Sequence, residues 1–347
     1  MKRIFEIDEN FKVATETDRA DAVFYDPRKP PFRLYGVFYE NGMYRRLPEA
    51  VAKTVNEGVY YLHANTAGGR LRFRTDSPYV IVNAEMSGAD HMVHFPLVGS
   101  GGFDLYADGV YEGSFIPPAD LKTGYESVVD LGSRALRDIT VHFPLYANVH
   151  KLGVGLAGDA KLLPGGEYRE LPPIVTYGSS ITQGGCASRP GNAYQNMLSR
   201  MLNADHLNLG FSGSARGEDE ISAYIAGLNM SVFVLDYDHN APTPAHLAKT
   251  HERLFRTVRT ANPELPVIML SRPKYRLTAD EEERRAIVQK TCESALAAGD
   301  KNVYFLDGPA LMATAKDDGT VDGCHPNDLG FYSMAQALYP LLAEILK

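Results

Sequence analysis

Tryptophan is absent from this 347-residue chain, and cysteine occurs only three times, as Cys186, Cys292 and Cys324. Three scattered cysteines exclude a disulfide framework. Without tryptophan, the case for a dedicated carbohydrate-binding surface is weaker, although tyrosines crowd the first third of the chain. No run approaches the ~20 apolar residues needed to span a bilayer. Basic residues are not in excess: the formal charge is −8, so no basic stripe is available to neutralise phosphates, and nucleic acid is excluded as a partner. The opening "MKRIFEIDENFKVATETDRADAVFYD" is charged every few residues and lacks the apolar segment of a secretory signal. The expected location is therefore cytoplasmic, with no membrane partner. A homo-oligomer is left open.

What is present divides into two grammars. Short strand-like runs with breakers between them fill residues 55–157, among them "VYYLHA" (59–64), "RLRFRT" (70–75), "MVHFPL" (92–97) and "FDLYADGVYEGSF" (103–115). In "RLRFRT" the arginines alternate with Leu71 and Phe73, the period of a half-buried strand, and "ADG" marks a tight hairpin. Many short strands at even spacing predict an N-terminal β-sandwich or jelly roll over residues 1–162. "HFPL" occurs twice, at 94–97 and 142–145, which chance or similar strand ends explain better than a repeat.

A Gly/Pro-bearing stretch gives a linker at 163–171, after which near-continuously apolar strands alternate with helices. The clearest helix opens with Thr278 and Glu281 in capping-box spacing and closes at Gly299. This pattern predicts a three-layer α/β/α domain over 172–347, with about five parallel strands and a site at their carboxyl ends.

At those ends stand "TYGSSITQGG", "NLGFSGSARG", "DYDHNAP" and "DGCHPNDLG". A hydroxyl, a glycine-rich turn, an asparagine and an Asp-x-x-His together suit acyl transfer: a nucleophile, a base held by a carboxylate, and oxyanion donors. The paired Ser179 and Ser180 leave the nucleophile open between two candidates. Neither fits the G-x-S-x-G elbow, because Thr182 stands where glycine would follow Ser180, and Tyr177 and Ile181 flank Ser179. Bland readings compete. A serine pair after a strand is usually a turn or cap, Asn240 could cap the helix that Thr243 and Pro244 begin, and Gly213 could serve only a positive-φ turn. Asp236, Asp238 and His239 read as strand-end polarity. Cys186, Cys324 and His325 could suggest zinc, but no second ligand histidine is near them in sequence, so no metal and no cofactor are expected.

In order and spacing, the four blocks resemble those of the SGNH (GDSL-type) hydrolases. The resemblance implies that Ser180 is the nucleophile, with Ser179 where the family has aspartate. It also implies that Asp322 and His325 complete the triad, and that Ser180, Gly213 and Asn240 supply the oxyanion hole. Asp238 and Ala241 depart from the family's third block. "GFDLY" (102–106) is similar to the GxDLY motif of two-domain members, which extends the resemblance to nearly the whole chain. The implied activity is that of a serine esterase removing short acyl groups, acetyl above all, from a small-molecule or oligosaccharide ester without a cofactor. Alternatives are acyl transfer, lipid or thioester hydrolysis on the same site, and a catalytically inactive carbohydrate-binding protein.

Overall fold

The computed structural model describes residues 7–8, 17–89 and 92–347. Among the described residues, the first half carries two large antiparallel sheets and a two-stranded one, Phe38–Glu40 with Met43–Arg45. One large sheet runs Ala22–Tyr25, Val149–Ala157, Tyr79–Met86, Gly124–Asp130. The other runs Leu162–Leu163, Arg70–Thr75, Arg137–His142, Phe103–Ala107, Val110–Phe115, with Arg33–Tyr35 also on Arg70–Thr75. Leu71 and Phe73, opposite Val141 and Ile139, are buried in a core shared with Val80, Val82 and Val154 of the first sheet. The expected sandwich is therefore present. Its hairpin turns at Asp108 and Gly109, both with positive φ (50° and 82°), the geometry of a two-residue primed turn.

Two strand expectations fail. Residues 59–64 lie largely in a helix, Glu57–Leu62, whose N-cap Asn56 accepts from the Val59 N–H. Tyr60 and Tyr61 favour strand, but a capped turn with Val59 and Leu62 on one side wins because that side has a partner. With Leu47 and Ala52, these residues pack against Val175, Tyr177, Leu209 and Phe211 of the second half. Residues 92–97 form no strand either, but a turn leading into the helix Leu97–Gly101. A Cβ on Gly99 would stand 2.1 Å from the Ala187 carbonyl oxygen, so glycine there permits this helix to press on a loop of the second half.

The expected linker is not loose. Its Tyr168 packs edge-on against Tyr35 and lies under the guanidinium of Arg72, 4.4 Å from the ring centroid. Beyond it, five parallel strands run in the order His206–Gly210, Ile174–Gly178, Val232–Asp236, Val267–Leu270, Val303–Leu306. Alternation within Val232–Asp236 sends Phe233 and Leu235 to the layer holding Leu254 and Val288, and Val232 and Val234 to the layer holding Leu198 and Phe331. Thr278 and Glu281 do form a capping box, at the head of the helix Ala279–Ala297. Among the described residues, no helix is long and apolar enough to cross a membrane.

Candidate active site

The sheet's first strand ends at Gly178, level with Gly210 and Asp236 on its neighbours, so three loops leave the sheet side by side. The loop after Gly178 resolves the serine pair. Ser179 is the N-cap of the short helix Ser180–Gln183, and its Oγ accepts from the Ile181 N–H (3.2 Å). Ser180 is the residue that faces outward: its Oγ lies 3.0 Å from His325 Nε2. His325 Nδ1 is 2.8 Å from Asp322 Oδ2. Asp322 Oδ1 also accepts from the backbone N–H groups of Cys324 (2.9 Å) and His325 (2.7 Å), so the loop holds the carboxylate against the ring. Burial alone would push the Asp322 carboxyl up, but these three donors outweigh it and hold it at about 2. With Nδ1–H donated to Asp322, Nε2 is the nitrogen free to accept the Ser180 proton.

The oxyanion candidates lie on neighbouring loops, which the Ser212 N–H ties to Gln183 of the serine helix and the Ala215 N–H ties to Asn240. Gly213 sits at φ 66°, a left-handed turn that suits glycine. Among the described residues, nothing in the protein accepts from the Gly213 N–H or the Ser180 N–H. Asn240 lies in the 3-10 turn Asp238–Asn240, and its Oδ1 accepts from the Ala215 N–H (3.3 Å), which leaves the Nδ2 hydrogens to donate. The capping reading of Asn240 fails because Thr243 caps the following helix, accepting from His246 N–H at 3.1 Å.

Asp236, Asp238 and His239 do not act as one cluster. Asp236 accepts from Thr182 Oγ1 (2.8 Å) and Tyr194 Oη (3.0 Å) beneath the serine helix. Asp238 instead accepts from the Arg272 N–H (3.0 Å) and stands beside the Arg272 and Arg284 guanidinium groups at 3.6 and 3.5 Å, which accounts for a carboxylate at this departure from the family pattern. His239 Nδ1 lies 3.9 Å from Cys324 Sγ, and burial, then the Arg272 charge, keep the ring neutral.

Several residues at the site escape sequence reasoning. Gln183 donates to Asn65 Oδ1 and the Leu145 carbonyl and accepts from the Ser212 N–H, tying the serine helix to the first half and to the Gly213 loop. Tyr146 Oη donates to the Ser180 carbonyl at 3.2 Å. Asp104 of "GFDLY" is fully buried, accepting from His142 Nδ1 (2.7 Å), Arg189 (2.9 Å) and the Gly191 N–H (2.8 Å), while Tyr106 Oη accepts from Arg189 (2.6 Å). Burial opposes ionisation of Asp104, but His142, Arg189 and the Gly191 N–H hold it anionic, and burial keeps His142 neutral. The motif thus fastens the segment that follows the serine helix. No second histidine is near His325 in sequence, but one is near in space: His94 lies with its ring centroid 5.8 Å away and Nε2 3.9 Å from Asp322 Oδ2. Its only sequence signal was the doubled "HFPL". Both copies reach the seam between the halves, where His142 holds Asp104.

Residues 172–343 match the GDSL-like lipase/acylhydrolase family, and residues 22–162 match the GxDLY N-terminus of SGNH hydrolase-type esterases. The chain belongs to the SGNH-type hydrolases. Among solved structures, this SGNH hydrolase is similar to a Bacteroides ovatus ATCC 8483 protein described as a GDSL-like lipase. That likeness has a TM-score of 0.84 at 28% identity, over 94% of this chain and 98% of that one. The fold is also shared with a salicylyl-acyltransferase from a tetracycline biosynthetic pathway (0.75, 22%, covering 94% and 98%). An acetyl xylan esterase from the rumen bacterium Butyrivibrio proteoclasticus shares it too (0.63, 12%, covering 94% and 99%). No curated protein sequence matches the chain.

Proposed function

We propose that this SGNH hydrolase is a serine esterase cleaving short acyl esters, acetyl esters of carbohydrates foremost. The observation that carries the reading is the relay from Ser180 Oγ to His325 Nε2 to Asp322, at 3.0 and 2.8 Å, with Ser179 turned back into its own helix. Ser180 Oγ attacks the ester carbonyl as its proton passes to His325 Nε2. The Asp322 carboxylate fixes the tautomer and stabilises the imidazolium. The N–H groups of Ser180 and Gly213 and the Asn240 amide receive the oxyanion. Collapse of the tetrahedral adduct sends the proton from His325 to the leaving alcohol, and water then repeats the sequence on the acyl-enzyme. The acetyl and carbohydrate assignment draws support from the acetyl xylan esterase that shares both halves of the fold. A second reading, transfer of the acyl group to an acceptor other than water, draws on the acyltransferase of the same build.

The test is product release from p-nitrophenyl acetate and from acetylated xylo- and manno-oligosaccharides by wild type, Ser180→Ala and Ser179→Ala. Ser180→Ala should abolish turnover and labelling by a fluorophosphonate, whereas Ser179→Ala, losing a helix cap of about 1 kcal/mol, should keep both. Labelling that survives Ser180→Ala would refute the assignment. Acyl transfer is recognised by ester appearing on an added alcohol in place of free acid.

A further inference from the structure

Beside the relay lie two donors that the proposed chemistry leaves unused, His94 and Cys186, and both approach a third that it uses, His325. His94 comes from the turn before Leu97–Gly101, Cys186 from the loop after the serine helix, and His325 from the final loop. One ligand atom from each falls within 4.8 Å of the other two. His94 is exposed at 41% of its side chain, so the group has an opening to solvent. Cys186 is buried and holds φ 75°, a left-handed conformation that a non-glycine residue seldom keeps unless its surroundings fix it. Two imidazoles and one thiol are three of the four ligands of a thiophilic divalent cation such as zinc, and water entering from the exposed side supplies the fourth.

We propose that His94, Cys186 and His325 form a binding site for a thiophilic divalent cation, zinc in particular, and that its occupation switches the hydrolase off. Zinc bonds of ~2.0–2.1 Å to nitrogen and ~2.3 Å to sulfur place tetrahedral ligands roughly 3.3–3.6 Å apart, so the donors must close by about 1 Å. The exposed His94 ring can supply most of that by rotation. Asp322, bonded to His325 Nδ1 at 2.8 Å, already stands as the carboxylate that orients a metal-binding histidine. On binding, the sulfur–metal bond replaces the S–H bond and the thiol proton passes to solvent; nothing is oxidised or reduced. Inhibition, which rests on the reading of His325 as the base, follows whichever nitrogen binds. Through Nε2 the metal takes the ring from Ser180, and through Nδ1 it takes it from Asp322. Cys324 stands apart, facing His239.

Metal binding can be read without turnover. Cobalt(II), added to the metal-stripped full chain, should give a thiolate-to-cobalt charge-transfer band in wild type, Ser180→Ala and Cys324→Ser alike, and no band in Cys186→Ser. His94→Ala should weaken cobalt and zinc binding by at least the roughly 10–100-fold lost when even an outer-shell partner is removed. The zinc concentration that halves p-nitrophenyl acetate cleavage should rise in parallel. No band in wild type, or a band that persists in Cys186→Ser, would overturn the site. A chain inert on every ester that still shows the band keeps the site and loses the esterase reading, so the two fail separately.

Discussion

Two buried groups should impose opposite pH dependences on the stability of this protein and hide one another. Asp236 is buried under the serine helix with, among the described residues, only the hydroxyls of Thr182 and Tyr194 as donors, and burial raises its carboxyl from 3.8 to about 7. Between those values the unfolded chain has released the proton and the folded chain has not. The stability present below pH ~4 is therefore lost as pH rises towards 7, by on the order of 4 kcal/mol at about 1.4 kcal/mol per pH unit. His251, in the helix Pro244–Ala261, is the mirror case. It is buried between Tyr237 and Thr291, bonded through Nδ1 to Thr291 Oγ1 at 3.0 Å, with no partner for Nε2 among the described residues. Burial lowers it from 6.5 to about 3. Here the unfolded chain binds the extra proton, so the stability present above pH 6.5 is lost as pH falls towards 3, again by on the order of 5 kcal/mol.

From pH ~4 to 6.5 the two slopes cancel, and wild type should show little net dependence from this pair. Asp236→Asn keeps an acceptor for both hydroxyls and removes the titration. His251→Leu fills a similar volume and removes the other. Urea unfolding at half-unit pH steps reads the result. Relative to wild type, Asp236→Asn should gain stability as pH rises from 4 to 7, and His251→Leu should gain it as pH falls from 6.5 to 3. A difference curve flat within about 1 kcal/mol for either variant would refute the argument for that residue, because it would mean that the group titrates alike in the folded and unfolded chain.

Two further predictions concern the site and its frame. Asn240→Ala, with Ser180, His325 and Asp322 intact, should lower turnover by about 10²–10³ with little change in KM, the loss typical of one oxyanion donor; a loss below about tenfold would remove Asn240 from that role. Asp104→Ala leaves Arg189 and His142 without their buried acceptor and should destabilise the chain by about 3 kcal/mol in urea unfolding. A loss under about 1 kcal/mol would mean that the "GFDLY" carboxylate does not anchor the seam.

The elements that local rules specify were legible in the sequence. Alternation in 70–75, the Asp108-Gly109 turn and the Thr278/Glu281 box each need only a few neighbouring residues, and each appears where its pattern stands. Three of the four blocks were legible because each sits at a strand end, where the topology itself brings them together; the fourth, Asp322–His325, lies in the loop before the last helix and meets them through His325. What was not legible depends on residues far apart in sequence. The helix Glu57–Leu62 follows from the apolar seat that Val175 and Leu209 offer it. Arg70 breaks the exposure pattern of its own strand because it crosses to an ion pair with Asp205, leaving it fully buried while Arg74 is exposed. His94 could not be placed beside Asp322 by any spacing rule.

These long-range contacts share a direction, and that direction bears on what the first half is for. Arg46 is fully buried, with no carboxylate partner among the described residues. Burial lowers its pKa to about 9, and its guanidinium is met by the carbonyls of Leu62, Asn65, Asn208 and Gly210 and by the Asn208 side chain. Asn208 and Gly210 close the strand that leads into the Gly213 turn. Asn65, Leu145 and Tyr146 hold the serine helix at Gln183 and the Ser180 carbonyl. Asp104 and Tyr106 hold the segment after that helix, whose Ser188 and Asn192 in turn bond Asp328, three residues past His325. The first half thus fixes the serine helix, the strand before the Gly213 turn and, through Asp328, the approach to His325. A binding module joined only by a tether would need none of these buried polar contacts, each of which costs desolvation unless its partner is in place. They are economical only if the relative position of the three loops is itself the product, which makes the sandwich part of the frame of the candidate site.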